Sequence, residues 1–229
     1  MRLTWLGHSA FHVEIGGANI LLDPFFTGNG KFPAGYEDTL EKVDLIALTH
    51  GHSDHVGDTA RLAAKYDCVV AAQPEICQYI GRSGHKKFQP MNIGGTIQVG
   101  EVAISMVQAF HSSTITEDGV IVALGDPAGI VLRSGADSLY HAGDTALFSD
   151  MALIQRLFAP RVGLIPIGDR FTMGPEAAAI ACNEFLDLET VIPIHWGTFG
   201  MLTGTPEAFT PLVRRGKVLV PEPGKAVEL

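Results

Sequence analysis

Five apolar runs in this chain end on a histidine or an aspartate: Ala18 to Asp23, Val43 to Leu48 followed by Thr49-His50, Val102 to Phe110 followed by His111, Ser138 to His141 leading into Ala142-Gly143-Asp144, and Val191 to Ile194 followed by His195. Short apolar runs bounded by turn residues read as buried strands. In open α/β sheets the carboxyl edge of the strands is where sites are built, because loops from many strands gather there on a rigid base. A chain with this pattern is therefore constrained to bring sequence-distant polar groups to one sheet edge.

The densest of these ends is His50-Gly51-His52-Ser53-Asp54-His55, three imidazoles and a carboxylate in six residues. Imidazole nitrogen and carboxylate oxygen suit zinc and similar divalent ions, whereas crowded together without a cation they compete for protons. His50 and His52 are two apart, so in an extended loop they point the same way and can grip one ion. Asp54 and His55 lie beyond, at a helix start, and face elsewhere, which favours two neighbouring ions. His111 would complete the first site and His195 the second, with Asp144 as the bridge because a carboxylate offers two oxygens.

Along the chain, strands are expected at Leu3 to Leu6, Ala10 to Ile15 and Ala18 to Asp23, with Gly16-Gly17 as the hairpin turn between the last two. Phe25 to Tyr36 reads as a loop whose Phe25, Phe26, Phe32 and Tyr36 form an apolar lip over the site or bury at an interface between copies. The His-rich loop opens a helix, since Val56, Ala60, Leu62, Ala63 and Ala64 approximate helical spacing. Further strands are expected at Cys68 to Ala72, Phe88 to Met91, Ile97 to Val99 and Val162 to Ile167. Gly119 to Leu124 and Gly129 to Arg133 are read as a hairpin about Gly125-Asp126-Pro127. Helices are expected from Pro74 to Ile80, from Met151 to Phe158, and from Pro175 to near Leu186.

Composition sets the limits. At 229 residues and 46% hydrophobic, the chain has ample material for a continuous core and is expected to form one domain over 1–229. Its formal charge of −9 stays negative even with two divalent cations added, and no Lys/Arg run exceeds two residues, so a surface tracking nucleic-acid phosphates is disfavoured. Cys68, Cys77 and Cys182 are odd in number and have no metal-ligand spacing, which implies no disulfide framework. No apolar run approaches the roughly 18 residues of a membrane span. A cytoplasmic protein without a membrane partner is the expectation, with homo-oligomerisation also expected.

With Asp23, the HxHxDH run, His111, Gly143-Asp144 and the late His195 in this order, the sequence resembles the metallo-β-lactamase-fold superfamily over nearly its whole length. The resemblance implies an α/β fold, a four-layer αββα sandwich of two mixed β-sheets flanked by helices. It also implies that His50, His52 and His111 bind one metal, that Asp54, His55 and His195 bind the other, that Asp144 bridges, and that Asp23 orients the His loop. Trp5-Leu6-Gly7-His8-Ser9, Phe171-Thr172-Met173-Gly174-Pro175-Glu176 and His195-Trp196-Gly197-Thr198-Phe199 are similar to a compact family of uncharacterised metal-dependent hydrolases related to ascorbate-6-phosphate lactonases. Asp144 stands against a true β-lactamase, and His52 against the flavodiiron oxidoreductases, which carry Glu there.

The implied activity is hydrolysis of an ester, lactone or phosphodiester bond in a small metabolite, anionic ones included, by a hydroxide generated between two divalent ions, Zn2+ first and Mn2+ or Fe2+ as alternatives. The rival is a module of the same fold that binds metal or ligand without turnover. Asp54 and His8 are the candidates for catalytic proton handling; His8 has a loop-bonding role as its alternative. Of the remaining histidines, His12 is read as a surface residue, His85 as solvated, and His141 as core or as support for the ligands. Arg170 is read as an anion-recognising residue or half of a surface ion pair, and Thr172 as a helix cap.

Overall fold

The computed structural model describes residues 1–229. In chain order the strands are β1 (Arg2–Trp5), β2 (Phe11–Ile15), β3 (Ala18–Leu22), β4 (Leu45–Ala47), β5 (Val69–Ala72), β6 (Phe88–Pro90), β7 (Thr96–Val99), β8 (Val102–Gln108), β9 (Thr114–Glu117), β10 (Val120–Ala123), β11 (Ala128–Ser134), β12 (Asp137–His141), β13 (Val162–Pro166), β14 (Thr190–Ile194), β15 (Lys217–Val218) and β16 (Ala226–Glu228). The helices are α1 (Ser53–Val56), α2 (Thr59–Tyr66), α3 (Pro74–Gly81), α4 (Met151–Phe158), α5 (Pro175–Ile180) and α6 (Pro206–Phe209). None is long and apolar enough to cross a membrane.

Two seven-stranded sheets form, ordered β16-β1-β2-β3-β4-β5-β6 and β15-β14-β13-β12-β11-β8-β7. Each is mixed in the same way. In the first, the pairings from β16 to β3 are antiparallel and those from β3 to β6 parallel. In the second, β7, β8, β11 and β12 are antiparallel neighbours, and the pairings from β12 to β15 are parallel.

Strand alternation explains the layers. Leu45 and Ala47 face the opposite sheet with Leu3, Phe11, Ile130 and Leu164, whereas Ile46 and Leu48 face Leu62, Ile76 and Ile80 of α2 and α3. On the far side, Tyr140, Ile165 and Val191 pack on Met151, Ala178 and Phe209 of α4, α5 and α6. A strand buried on both faces reads as one apolar run, which is why β4, β13 and β14 stood out in the sequence. The outcome is the expected αββα sandwich.

Three local expectations change. The helix after the His-rich loop is broken into α1 and α2 at Gly57, whose φ is 45°. A Cβ there would lie 2.6 Å from the Pro24 carbonyl oxygen. The bend lets Asp58 accept hydrogen bonds from Phe26 N, Thr27 N and Thr27 Oγ1, tying the loop after β3 to this turn. Second, the hairpin about Gly125-Asp126-Pro127 does not form. β10 turns back on β9 through Asp118-Gly119, both at positive φ, while β11 lies between β8 and β12. An Asp-Gly pair is a strong two-residue hairpin signal, and here it prevails. Third, His12 is buried beneath the loop after β3, with Nδ1 2.9 Å from Tyr36 Oη and Nε2 3.2 Å from Asn19 Oδ1.

Candidate metal centre

The C-terminal ends of β3, β4, β8, β12 and β14 deliver the residues that follow them to one place. Asp23, next after β3, is buried; its Oδ1 accepts from Thr49 N at 2.8 Å, and its Oδ2 accepts from Thr49 Oγ1 at 2.6 Å and from His55 Nδ1 at 2.7 Å. An ionised carboxylate only accepts, so His55 carries its proton on Nδ1. The Thr49 hydroxyl, committed as donor to Asp23, accepts from His50 Nδ1 at 3.0 Å. One buried carboxylate thus turns the Nε2 atoms of both histidines the same way.

His50 Nε2 lies 3.0 Å from His52 Nδ1, and His52 Nε2 lies 3.2 Å from Ser112 Oγ. His50, His52 and His111 form one group whose donor atoms all lie within 4.8 Å of one another; His55 and His195 join Asp54 and His8 in another. Asp144 sits between them: its Oδ2 is 2.9 Å from His195 Nε2 and 3.5 Å from His111 Nε2, and its Oδ1 is 3.3 Å from His55 Nε2. All seven residues expected as ligands are therefore brought together. The centre is closed on the His50, His55 and His195 side and opens at His52, Asp54 and the 13%-exposed side chain of His111.

Two observations test whether this arrangement fits divalent metal. His55 Nε2 and Asp144 Oδ1 are buried, face each other, and make no hydrogen bond. Leaving such atoms without a partner costs about 1–3 kcal/mol each, and a cation between them would satisfy both. Burial, together with neighbouring imidazoles, also holds the proton affinities of His50, His52 and His111 below the ordinary value, which keeps their nitrogen lone pairs free. His55 runs the other way: burial opposes its charge, but the Asp144 and Asp23 carboxylates outweigh it and raise its pKa well above normal. A nitrogen- and oxygen-only donor set of this kind suits zinc, manganese or iron.

Close backbone approach places His195. A Cβ on Gly168 would lie 2.0 Å from the His195 carbonyl oxygen, so only glycine admits the β13 end this near. His141 contributes no donor to the centre: Nε2 donates to Ser9 O at 2.8 Å and Nδ1 accepts from Gly143 N at 2.9 Å, fixing the turn before Asp144. His85 is remote, bonded to Lys87 O.

His8 is buried, with Nε2 3.1 Å from Asp54 Oδ2 and Nδ1 3.1 Å from Thr198 Oγ1. Phe25 and Phe199 pack edge-on against its ring. Phe26 stacks on Phe32; Phe25 and Phe26 are buried, whereas Phe32 stays half-buried. Arg170 is exposed, its guanidinium 5.6 Å from the Phe171 ring centre, and it joins no ion pair; Asp169 accepts from Thr203 instead. Thr172 donates to Met173 O and does not cap α5, whose cap is Gly174. Sequence reasoning missed Thr49, Ser112 and Thr198. A threonine at a strand end is ordinary β-sheet composition, and Ser112 and Thr198 meet their partners across 60 and 190 residues.

Residues 18–196 match the family model described as "Beta-lactamase superfamily domain". The chain belongs to the metallo-β-lactamase superfamily. Within this superfamily it is 46% identical to a UPF0173 metal-dependent hydrolase of Chelativorans sp. over the whole of both chains, and 48% identical to one of Sinorhizobium medicae over 97% of each. Among solved superfamily structures, Igni18, a metallo hydrolase from Ignicoccus hospitalis, superposes with a TM-score of 0.86 at 35% identity, covering 99% of this chain and 97% of that one. An isothiocyanate hydrolase from Delia radicum gut bacteria shares the fold with a TM-score of 0.79 at 20% identity, covering 100% and 99%.

Proposed function

We propose that this protein is a hydrolase that holds two divalent ions, zinc by first choice and manganese or iron as alternatives, and cleaves an ester, lactone or phosphodiester bond of a small metabolite. The carrying observation is the division of donors around Asp144, with His50, His52 and His111 on one side and Asp54, His55 and His195 on the other. Bound there, a pair of such ions supplies the positive charge that acidifies a water and polarises the scissile group. The metal-dependent hydrolase names of the full-length relatives support this reading.

The protein's own groups do the rest. Asp23 and Thr49 hold His50 and His55 in one tautomer. Asp54 stays ionised: burial disfavours its charge, but the hydrogen bond from His8 leads the effects that outweigh it. On the open side of the centre, with Oδ2 bonded to His8, Asp54 is the carboxylate placed to take a proton from the attacking water at Oδ1 and return it to the leaving group. His8, with both nitrogens engaged, is spared that role. A substrate reaches the centre from the His52, Asp54 and His111 side, beside the 52%-exposed Phe110, whose backbone N is anchored on Thr145 next to Asp144. The negative net charge and the short basic runs favour a small molecule over nucleic acid.

The test is elemental analysis with a panel of chromogenic ester, lactone and phosphodiester substrates. Two ions per chain are expected, with turnover abolished by chelator, His111→Ala and Asp144→Ala in proteins that remain folded. Full activity in metal-stripped Asp144→Ala would overturn the mechanism, and two bound ions without turnover on any bond type would favour a binding module.

A further inference from the structure

His8 is held more firmly than core packing requires. Its backbone has a φ of 55°, uncommon outside glycine, and its carbonyl accepts from both Trp5 Nε1 at 3.0 Å and His195 N at 3.2 Å. Its ring lies 4.1 Å from that of His195, centre to centre, between the edges of Phe25 and Phe199. Strain persists where the surroundings over-determine it, and such places cluster at functional sites.

The direction of the hydrogen bonds follows from the partners. Asp54 Oδ2 only accepts, so the proton shared at 3.1 Å belongs to His8 Nε2. In the neutral ring Nδ1 is then an acceptor, and the Thr198 hydroxyl 3.1 Å away is its donor. The competing acceptor for that hydroxyl, Trp196 O, is 3.5 Å away. The result is a one-way chain, Thr198 to His8 to Asp54, joining the segment after His195 to the carboxylate of the His-rich loop. An apolar residue would fill the same space without needing two polar partners.

We propose that Thr198, His8 and Asp54 form a positioning relay that sets the Asp54 carboxylate for the ion held by Asp54, His55 and His195. His8 is thus a positioning residue and leaves the three-histidine half of the centre alone. The relay rests on the two-ion reading above. It also couples the metal centre to the loop at 196–199, where Phe199 faces the His8 ring.

Zinc titrated into chelator-treated protein, against a chromogenic competitor chelator, reads the two ions separately. His8→Ala is expected to weaken the second equivalent about 10–100-fold, as losing a partner of a metal ligand does, and to leave the first within about twofold. His8→Gln, whose amide N–H can still donate to Asp54, should recover most of the loss. Thr198→Val should weaken the same equivalent by a smaller factor, and it decides the matter if His8→Ala does not fold. Equal weakening of both ions, or a Gln variant no better than Ala, would assign His8 to packing or to direct ligation and overturn the relay. Two ions in the wild type with an unaltered second equivalent in the folded variants would overturn the relay alone. A wild type that takes up one ion or none would overturn the two-ion reading and the relay with it.

Discussion

Asp23 shows how one buried residue can orient several candidate ligands from behind. Buried among Thr49, His55 and His141, it is ionised because the His55 charge and hydrogen bonds outweigh the burial that would otherwise raise its pKa. Asp23→Asn keeps the volume but removes the charge and sets an amide N–H against groups that all donate. Metal affinity should fall roughly 10–100-fold, and stability by about 2–4 kcal/mol, because buried donors lose their acceptor. Zinc competition and urea unfolding measure the two effects, and wild-type values in both would refute the role. Asp23 could be found in the sequence because it closes an apolar run. Thr49, which passes its influence to His50, could not, since a hydroxyl after a strand needs no special reason to be there.

At the scale of elements, what was legible was periodicity, and what was not was pairing. β4, β13, β14, α3 and α4 lie within a residue or two of their expected bounds, because each buries a face that its own pattern declares. Partner choice depends on turns: Asp118-Gly119 redirects β10 onto β9 and frees β11 for the second sheet. The edge strands β15 and β16 are two and three residues long and largely exposed, too short for a periodic pattern to declare them. The break between α1 and α2 was equally hidden, because Gly57 interrupts a pattern that otherwise continues. Gly57→Ala would set a Cβ against the Pro24 carbonyl at a φ that alanine avoids. The expected cost is about 1–3 kcal/mol, with a second penalty in metal affinity, since α1 carries Asp54 and His55. Chemical unfolding of the metal-free protein checks the first. A stability equal to wild type would mean that the turn relaxes without glycine.

For the whole molecule, the two sheets repeat one plan, antiparallel strands leading into parallel ones, and the candidate metal centre lies at the C-terminal ends of β3, β4, β8, β12 and β14. The sequence showed which residues meet there but not how deeply they would be buried, and burial sets the response of the metal-free protein to acid. Burial pushes His8 down to about 4 and lowers His12 and His141 in the same direction. Above the unfolded value of about 6.5 neither state binds these protons, so pH has no effect through them. As pH falls through 6.5 toward 4, the unfolded chain takes up protons that the folded chain refuses, and stability declines. His8 alone carries a ceiling of about 3 kcal/mol in that window. His55 has the opposite sign, but its raised pKa gives a contribution that builds as pH falls toward 6.5 and is complete below it, so it offsets little of the decline in this window, to which the lowered His50, His52 and His111 add. The depressed carboxylates, Asp23 and Asp144 among them, lose their contribution only around pH 4 and below. Urea midpoints of the metal-free protein should therefore fall between pH 6.5 and 4, and His8→Gln, which cannot take up a proton when unfolded, should flatten that slope. A midpoint that holds steady or rises on acidification across this window would show that the buried histidines do not set the acid response.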